Sequence, residues 1–272
     1  MTSDVSHQQP PFDVAWRTID GLKIRYARSG QGAEKVVLFN PWPESIFAFA
    51  PVWKGLTKRF EVLAIDLPGF GRSEGRDDLF APEKMGGFIA KAIEAFGLTS
   101  VHAVGLDVGT PSVLFASLAQ PALFRSLVVG AGAATYPLVT EGVLKSLIES
   151  PPGTPLNAAE VISGFIASIR GYAVPTFVRD DYLASYEGDR LTRSAALVRA
   201  YPNASIAFAM NSPIFCGAKR SSRPSDRPKP GRSNASTSNC FVNPSHTGAK
   251  AKMLSGHGLK STTFSPPLPL VA

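Results

Sequence analysis

The sequence predicts an α/β fold: a mostly parallel β-sheet with helices on both faces and a helical segment over one end. Three observations predict it. Short, wholly apolar runs alternate with longer amphipathic runs through the first half of the chain, the pattern of buried parallel strands joined by helices. A two-residue turn signal near the N-terminus separates two runs of period-2 patterning. After about residue 134 the strand signals stop and helical periodicity continues without them.

Taken in order, Ala15-Trp-Arg-Thr-Ile and Leu22-Lys-Ile-Arg-Tyr-Ala flank Asp20-Gly21 and read as an antiparallel hairpin. Val36-Val-Leu-Phe is a short buried strand. Ser45 to Phe60 reads as helical, with Phe49, Val52, Trp53 and Leu56 on one side. Val62-Leu-Ala-Ile is a further buried strand. Asp66-Leu-Pro-Gly-Phe-Gly-Arg-Ser73 is a loop dense in turn residues. Pro82 to Leu98 starts with a helix-favouring Pro and places Met85, Ile89, Ile93 and Phe96 periodically. Val101-His-Ala-Val, a tight turn, a helix from Ser112 and the strand Ser126-Leu-Val-Val-Gly complete the alternation. Helices are expected over Val143 to Ile148, Ala158 to Ile169 and Arg190 to Arg199. Asn157 is placed to cap the second, with Glu160 three residues on in the capping-box position.

The expected organisation is a flexible N-terminus over 1–12, an α/β core over 13–134, a helical cap over 135–210 and a divergent basic tail over 211–272. The chain has 272 residues and is 44% hydrophobic, enough for a full core. Its net charge of +7 is concentrated in the tail. After Phe215 stand nine Lys/Arg and a single acid, Asp226, so the first 215 residues carry about −1. The tail is rich in Ser, Pro and Arg and shows no period of 2 or 3.6, the composition of an incomplete or disordered segment. A shifted reading frame near Phe215 would produce such a break; reading the gene in all frames tests that. The tail lacks aromatic interleaving for base stacking and an amphipathic period, which argues against nucleic-acid and membrane partners. Cys216 and Cys240 are too few and isolated for a metal site or disulfide framework. No metal and no cofactor is expected. No apolar run reaches 18 residues and the N-terminus lacks the apolar stretch of a secretory signal, so a cytoplasmic protein is expected.

Chemistry concentrates at Gly105-Leu106-Asp107-Val108-Gly109, between a strand and a helix. Alone, Gly-x-Asp-x-Gly also fits a loop with a helix-capping Asp. With a strand before and a helix after, it has the form of the Gly-x-Ser-x-Gly turn that presents a nucleophile, with Asp in place of Ser. A carboxylate held there attacks an alkyl carbon, as in an epoxide or haloalkane, and forms an ester.

Three motifs together resemble the α/β-hydrolase superfamily in its Asp-nucleophile branch of epoxide hydrolases and haloalkane dehalogenases. They are the 66–73 loop, the turn around Asp107, and Asn40-Pro-Trp42-Pro-Glu-Ser45, which stands where that family has its His-Gly-x-Pro oxyanion turn. The resemblance covers residues 13 to 135 and implies an α/β-hydrolase fold. It implies Asp107 as nucleophile, an oxyanion site from the N–H groups of Trp42 and Val108, and a small-molecule substrate opened through an alkyl-ester intermediate. It implies cap tyrosines that donate to the opening oxygen, for which Tyr172, Tyr182, Tyr186 and Tyr201 are candidates. It also implies a His that activates water, for which Ser255-Gly-His257-Gly is the counterpart, and an orienting acid, with Glu141 or Asp226 available. His102 suits packing; His7 and His246 lie in polar stretches. The departures are Asn40 for His, Pro41 for Gly, Leu106 for the usual His, and Val108 where both sub-branches carry Trp. The last counts against dehalogenation. An epoxide hydrolase-like enzyme is therefore expected. A non-catalytic binding protein on this scaffold and a haloalkane dehalogenase are the alternatives.

Overall fold

A computed structural model describes residues 9–133 and 138–204, together with two short backbone stretches, 239–242 and 252–254. Its centre is a parallel layer of four strands, β4 (Glu61–Ile65), β3 (Lys35–Phe39), β5 (Val101–Leu106) and β6 (Phe124–Gly130), adjacent in that order. β2 (Leu22–Ser29) runs antiparallel to β4, and β1 (Ala15–Ile19) closes that edge as its hairpin partner. The hairpin turns at Asp20 (φ +51°) and Gly21 (φ +79°), the left-handed pair that suits a two-residue connection. The chain has the mostly parallel sheet with flanking helices that its alternating pattern predicts.

The helices are α1 (Ala50–Thr57), α2 (Pro82–Ala95) and α3 (Gly109–Ala119), then α4 (Gly142–Glu149), α5 (Ala158–Ser168), α6 (Thr176–Ser185) and α7 (Arg190–Arg199). One core cluster gathers α2, α3 and one sheet face, with Val37, Phe39, Leu63, Met85, Ile89, Val113 and Phe124 buried in it. The second lies on the opposite face, around Leu38, Ile46, Trp53, Val62, Val178 and Tyr182. From Gly109 through Ala116 every residue of α3 is buried, because α3 lies between the sheet and α2.

The structure corrects several local expectations. Ser45 to Phe60 is not one helix: a 3-10 turn over Ile46–Phe49, with Ser45 accepting from the Phe47 N–H, precedes α1. Val52 is 50% exposed while Trp53 is buried, so the apolar stripe there is narrower than its spacing suggested. The helix expected over Val143 to Ile148 does form, as α4, with only Leu147 buried and Val143 87% exposed. α6 carries no apolar period and was not anticipated. Two strands also come from the tail, where none was expected. β7 (Asn239–Val242) pairs antiparallel with β6, and β8 (Lys252–Leu254) pairs with β7. Cys240-Phe-Val and Met253-Leu are short β-prone runs, and the free edge of β6 offers them backbone partners. Among the described residues no helix is long and apolar enough to cross a membrane.

Candidate active site

Asp107 follows the last residue of β5 and sits at φ +48°, the left-handed region that non-glycine residues seldom occupy. The strain is held by its neighbours. The Asp107 N–H donates to Gly130 O at 2.9 Å, and its own carbonyl accepts from the Thr110 N–H at 3.0 Å. Thr110 Oγ1 lies 2.8 Å from both Gly105 O and Gly130 O, with one proton to give, and accepts from the Gly130 N–H at 3.1 Å, which fastens the first turn of α3 to two strand ends. A Cβ on Gly105 would lie 2.4 Å from the Gly109 carbonyl oxygen, so the bend can be this sharp only with hydrogen there.

The carboxylate is held on both oxygens. Oδ2 accepts from the Trp42 backbone N–H at 2.9 Å, and Oδ1 accepts from the Tyr201 hydroxyl at 3.2 Å. The Val108 N–H, at the start of α3, also donates to it. A little of the residue's surface stays accessible, yet protein packs closely around the carboxyl. That burial pushes Asp107 up to about 6, against the lowering effect of the Trp42, Tyr201 and Val108 hydrogen bonds.

Trp42 is placed by the 40–45 turn, whose Trp42–Pro43 peptide is cis. Asn40, fully buried where a His was expected by resemblance, accepts from the Leu67 N–H at 2.8 Å and donates to Pro41 O at 3.0 Å. It therefore ties the turn to the end of β4, a role an amide performs with both ends. The Trp42 indole N–H reaches Ser194 Oγ on α7 at 2.9 Å. Asp107 thus receives the turn on one oxygen and the chain just beyond α7 on the other.

Glu44, in the same turn, accepts from the Tyr182 hydroxyl at Oε1 (3.2 Å), while its carbonyl accepts from Tyr186 (3.0 Å). Burial first, and then the negative charge of Asp107, push Glu44 up to about 7. Behind it lies a buried ion cluster. Arg25 on β2 donates to Asp66 Oδ2 at 2.5 Å and, through both terminal nitrogens, to Asp181 on α6 at 2.6 and 2.9 Å. Ser45 Oγ donates to Asp181 at 2.6 Å, and the Ile46 N–H to Asp66 at 2.7 Å. The Asp66-to-Ser73 loop therefore serves as scaffold here: Ser73 Oγ bridges Asp66 O and the Arg25 N–H.

Of the site residues expected from sequence, Asp107, Trp42 and Val108 come together. His257, Asp226, His246 and His7 lie outside the described residues. Glu141 is exposed at the start of α4. His102, among the described residues the one His, bonds Ser126 Oγ at 2.7 Å lower on the sheet. Of the four tyrosines, Tyr201 reaches Asp107, Tyr182 and Tyr186 reach Glu44, and Tyr172 is 43% exposed. Sequence reasoning gave Glu44 no catalytic role; its signal was its place in the Pro43-Glu44-Ser45 ending of the 40–45 turn.

Residues 35–160 match the alpha/beta hydrolase fold family. Over 147 residues the chain is 32% identical to the dihydrolipoyllysine-residue acetyltransferase component of the acetoin cleaving system of Cupriavidus necator, a match spanning 53% of this chain and 39% of that protein. Over 109 residues it is 28% identical to a soluble epoxide hydrolase of a Corynebacterium species, spanning 40% of this chain and 35% of that one. Among solved structures, the epoxide hydrolase CorEH superposes with a TM-score of 0.58 at 19% identity, covering 72% of this chain and 77% of that one. The matched stretches span about two fifths of the length of these curated relatives. The fold is that of the α/β-hydrolases.

Proposed function

We propose that this chain, with its α/β-hydrolase fold and epoxide hydrolase-like neighbours, opens small epoxides through an alkyl ester on Asp107. One observation carries the reading: the two oxygens of the Asp107 carboxylate are held by different kinds of donor. Oδ2 rests on the backbone N–H of Trp42 and Oδ1 on the Tyr201 hydroxyl. In the reaction Oδ1 attacks an epoxide carbon as Tyr201 turns its hydroxyl to the ring oxygen. The C–O bond of the ring breaks, and the alkoxide formed takes a proton from the site. Oδ2 becomes the carbonyl oxygen of the ester, already seated on backbone donors. Water then adds to that carbonyl carbon, and the oxyanion is stabilised by the N–H groups of Trp42 and Val108. In this reading α4 to α7 are the cap, with α7 and Tyr201 bounding the substrate space.

The burial of Asp107 supports the reading, because a partly desolvated carboxylate at a helix N-terminus is a stronger nucleophile than one in water. A haloalkane would meet the same carboxylate, but Val108 offers the departing halide no side-chain donor. Single-turnover reaction with styrene oxide in heavy-oxygen water tests the proposal. Mass spectrometry should find the adduct, and then the heavy oxygen, on the peptide containing Asp107. Full epoxide turnover by Asp107→Ala defeats it.

A further inference from the structure

We propose that Glu44 is the proton carrier of this reaction cycle: its carboxyl gives up the proton that the opened epoxide oxygen takes, and recovers one from the water that cleaves the ester. The inference rests on the reading that Asp107 forms an ester, and deepens it.

The placement of Glu44 is over-determined. Its N–H donates to Pro41 O at 3.3 Å, and its carbonyl accepts from Tyr186 at 3.0 Å and from the Asn40 amide at 3.4 Å. Its carboxyl is held in turn by the Tyr182 hydroxyl, which donates to Oε1 at 3.2 Å. Glu44 also lies in the turn whose Trp42 N–H touches Asp107, within electrostatic reach of that carboxylate. The surrounding fold treats its other buried carboxylates differently. Asp66 and Asp181 share Arg25, and Arg72 approaches Asp181 at 3.2 Å. Among the described residues no cation pairs with Glu44 or Asp107. A structural carboxylate would gain from such a cation, and a structural hydrogen bond to Tyr182 would be accepted as well by an amide. An uncompensated pair of neighbouring buried carboxyls instead favours one proton between them. The groups around the Glu44 carboxyl are Tyr182 from α6 and Asp107 from the β5–α3 bend, with Tyr186 on its backbone. Burial and the charge of Asp107 hold its ionisation near 7, where a group can both release and accept a proton.

The cycle balances without a further acid or base. Glu44 starts neutral and Asp107 ionised. Tyr182 occupies Oε1, so the mobile proton rides on Oε2. Attack by Asp107 forms the ester C–O bond and breaks a ring C–O bond, and the alkoxide takes the Glu44 proton. Glu44, now a carboxylate beside a neutral ester, accepts a proton from the attacking water. The tetrahedral intermediate collapses, the ester C–O bond breaks, and the leaving oxygen takes the proton of the added hydroxyl, so the diol leaves with both its oxygens protonated. Asp107 returns to carboxylate and Glu44 to carboxylic acid.

The test uses the full chain and styrene oxide, with rapid-quench mass spectrometry following ester formation and breakdown from pH 5 to 9. Wild-type breakdown should rise through an ionisation below about 7, because the ester no longer carries the Asp107 charge that raises Glu44. Glu44→Gln should slow breakdown by about 100-fold or more and flatten that profile, so that the ester accumulates. Glu44→Asp should recover part of the rate and part of the pH dependence. Unchanged breakdown in Glu44→Gln or a pH-independent wild-type rate overturns the proposal. If Glu44→Gln does not fold, the wild-type profile and Glu44→Asp still decide. Absence of any Asp107 ester in the wild type is a different result, and removes the parent reading instead.

Discussion

Tyr201 donates its hydroxyl to Asp107 Oδ1 across 3.2 Å, joining the residue just beyond α7 to the bend after β5, 94 positions earlier in the chain. The phenol is buried and the carboxylate beside it keeps its own proton affinity high, so removing the hydroxyl acts on Asp107 twice. Tyr201→Phe deletes a bond that lowers the Asp107 pKa, and it deletes the donor to the departing ring oxygen. The acid limb of ester formation should move above its wild-type position near 6, and the rate on that step should fall about 10- to 100-fold. Single-turnover rates against pH measure both. A limb that stays in place excludes the contact from the working site.

The raised pKa of Asp107 has a stability cost of definite sign. Folding lifts its pKa from 3.8 to about 6, so between those values the folded state holds more protons than the unfolded one. Stability therefore falls as pH rises through that window, and the whole cost is present above about 6. Asp107→Asn removes it and should stabilise the protein at pH 8 by about 2 kcal/mol after allowance for partial exposure. The gain should vanish below pH 4. The same change removes a neighbouring negative charge and should bring the Glu44 ionisation below about 7. Melting curves across pH check the first expectation.

Arg25 makes the opposite kind of contact, a two-pronged grip on Asp181 that holds α6 against β2. Asp181→Ala leaves both terminal nitrogens of a buried guanidinium without that partner. It should cost about 3–5 kcal/mol in denaturant unfolding. Asp181 also precedes Tyr182, so loosening α6 should withdraw the hydroxyl from Glu44 and slow turnover beyond the loss of stability.

Gly105→Ala would force a methyl carbon to within 2.4 Å of the Gly109 carbonyl oxygen. Since the obstacle is backbone, relief requires the bend itself to open. The variant should be strongly destabilised, by more than about 3 kcal/mol, and any folded fraction should form the Asp107 ester at least tenfold more slowly. Circular dichroism melts combined with the rapid-quench assay read both.

Much of the frame was legible because its signals are local. The Asp20-Gly21 hairpin turn, the Asn157 cap with its bonds to Ala159 and Glu160, and the bounds of α7 follow from a few adjacent residues. The bend at Asp107 was legible for the same reason. α6 was missed because its buried residues are Val178, Asp181, Tyr182 and Ser185. When polar side chains occupy the inward face, hydrophobic periodicity carries no helix signal. Val52 failed the other way, apolar by type yet exposed, since spacing cannot tell which stripe a neighbour will cover.

The sequence by itself determined the strand–helix alternation, the sharp bend, and the carboxylate on it, because each is written in residues a few positions apart. The tertiary structure alone decided which tyrosine reaches Asp107, that Asn40 pins the neighbouring turn, and that the Glu44 carboxyl meets Tyr182 with no cation paired to it among the described residues. Those relations join β2, β4, the 40–45 turn, α6 and the end of α7. Contacts over such separations depend on how whole elements pack, which no short window of residues encodes.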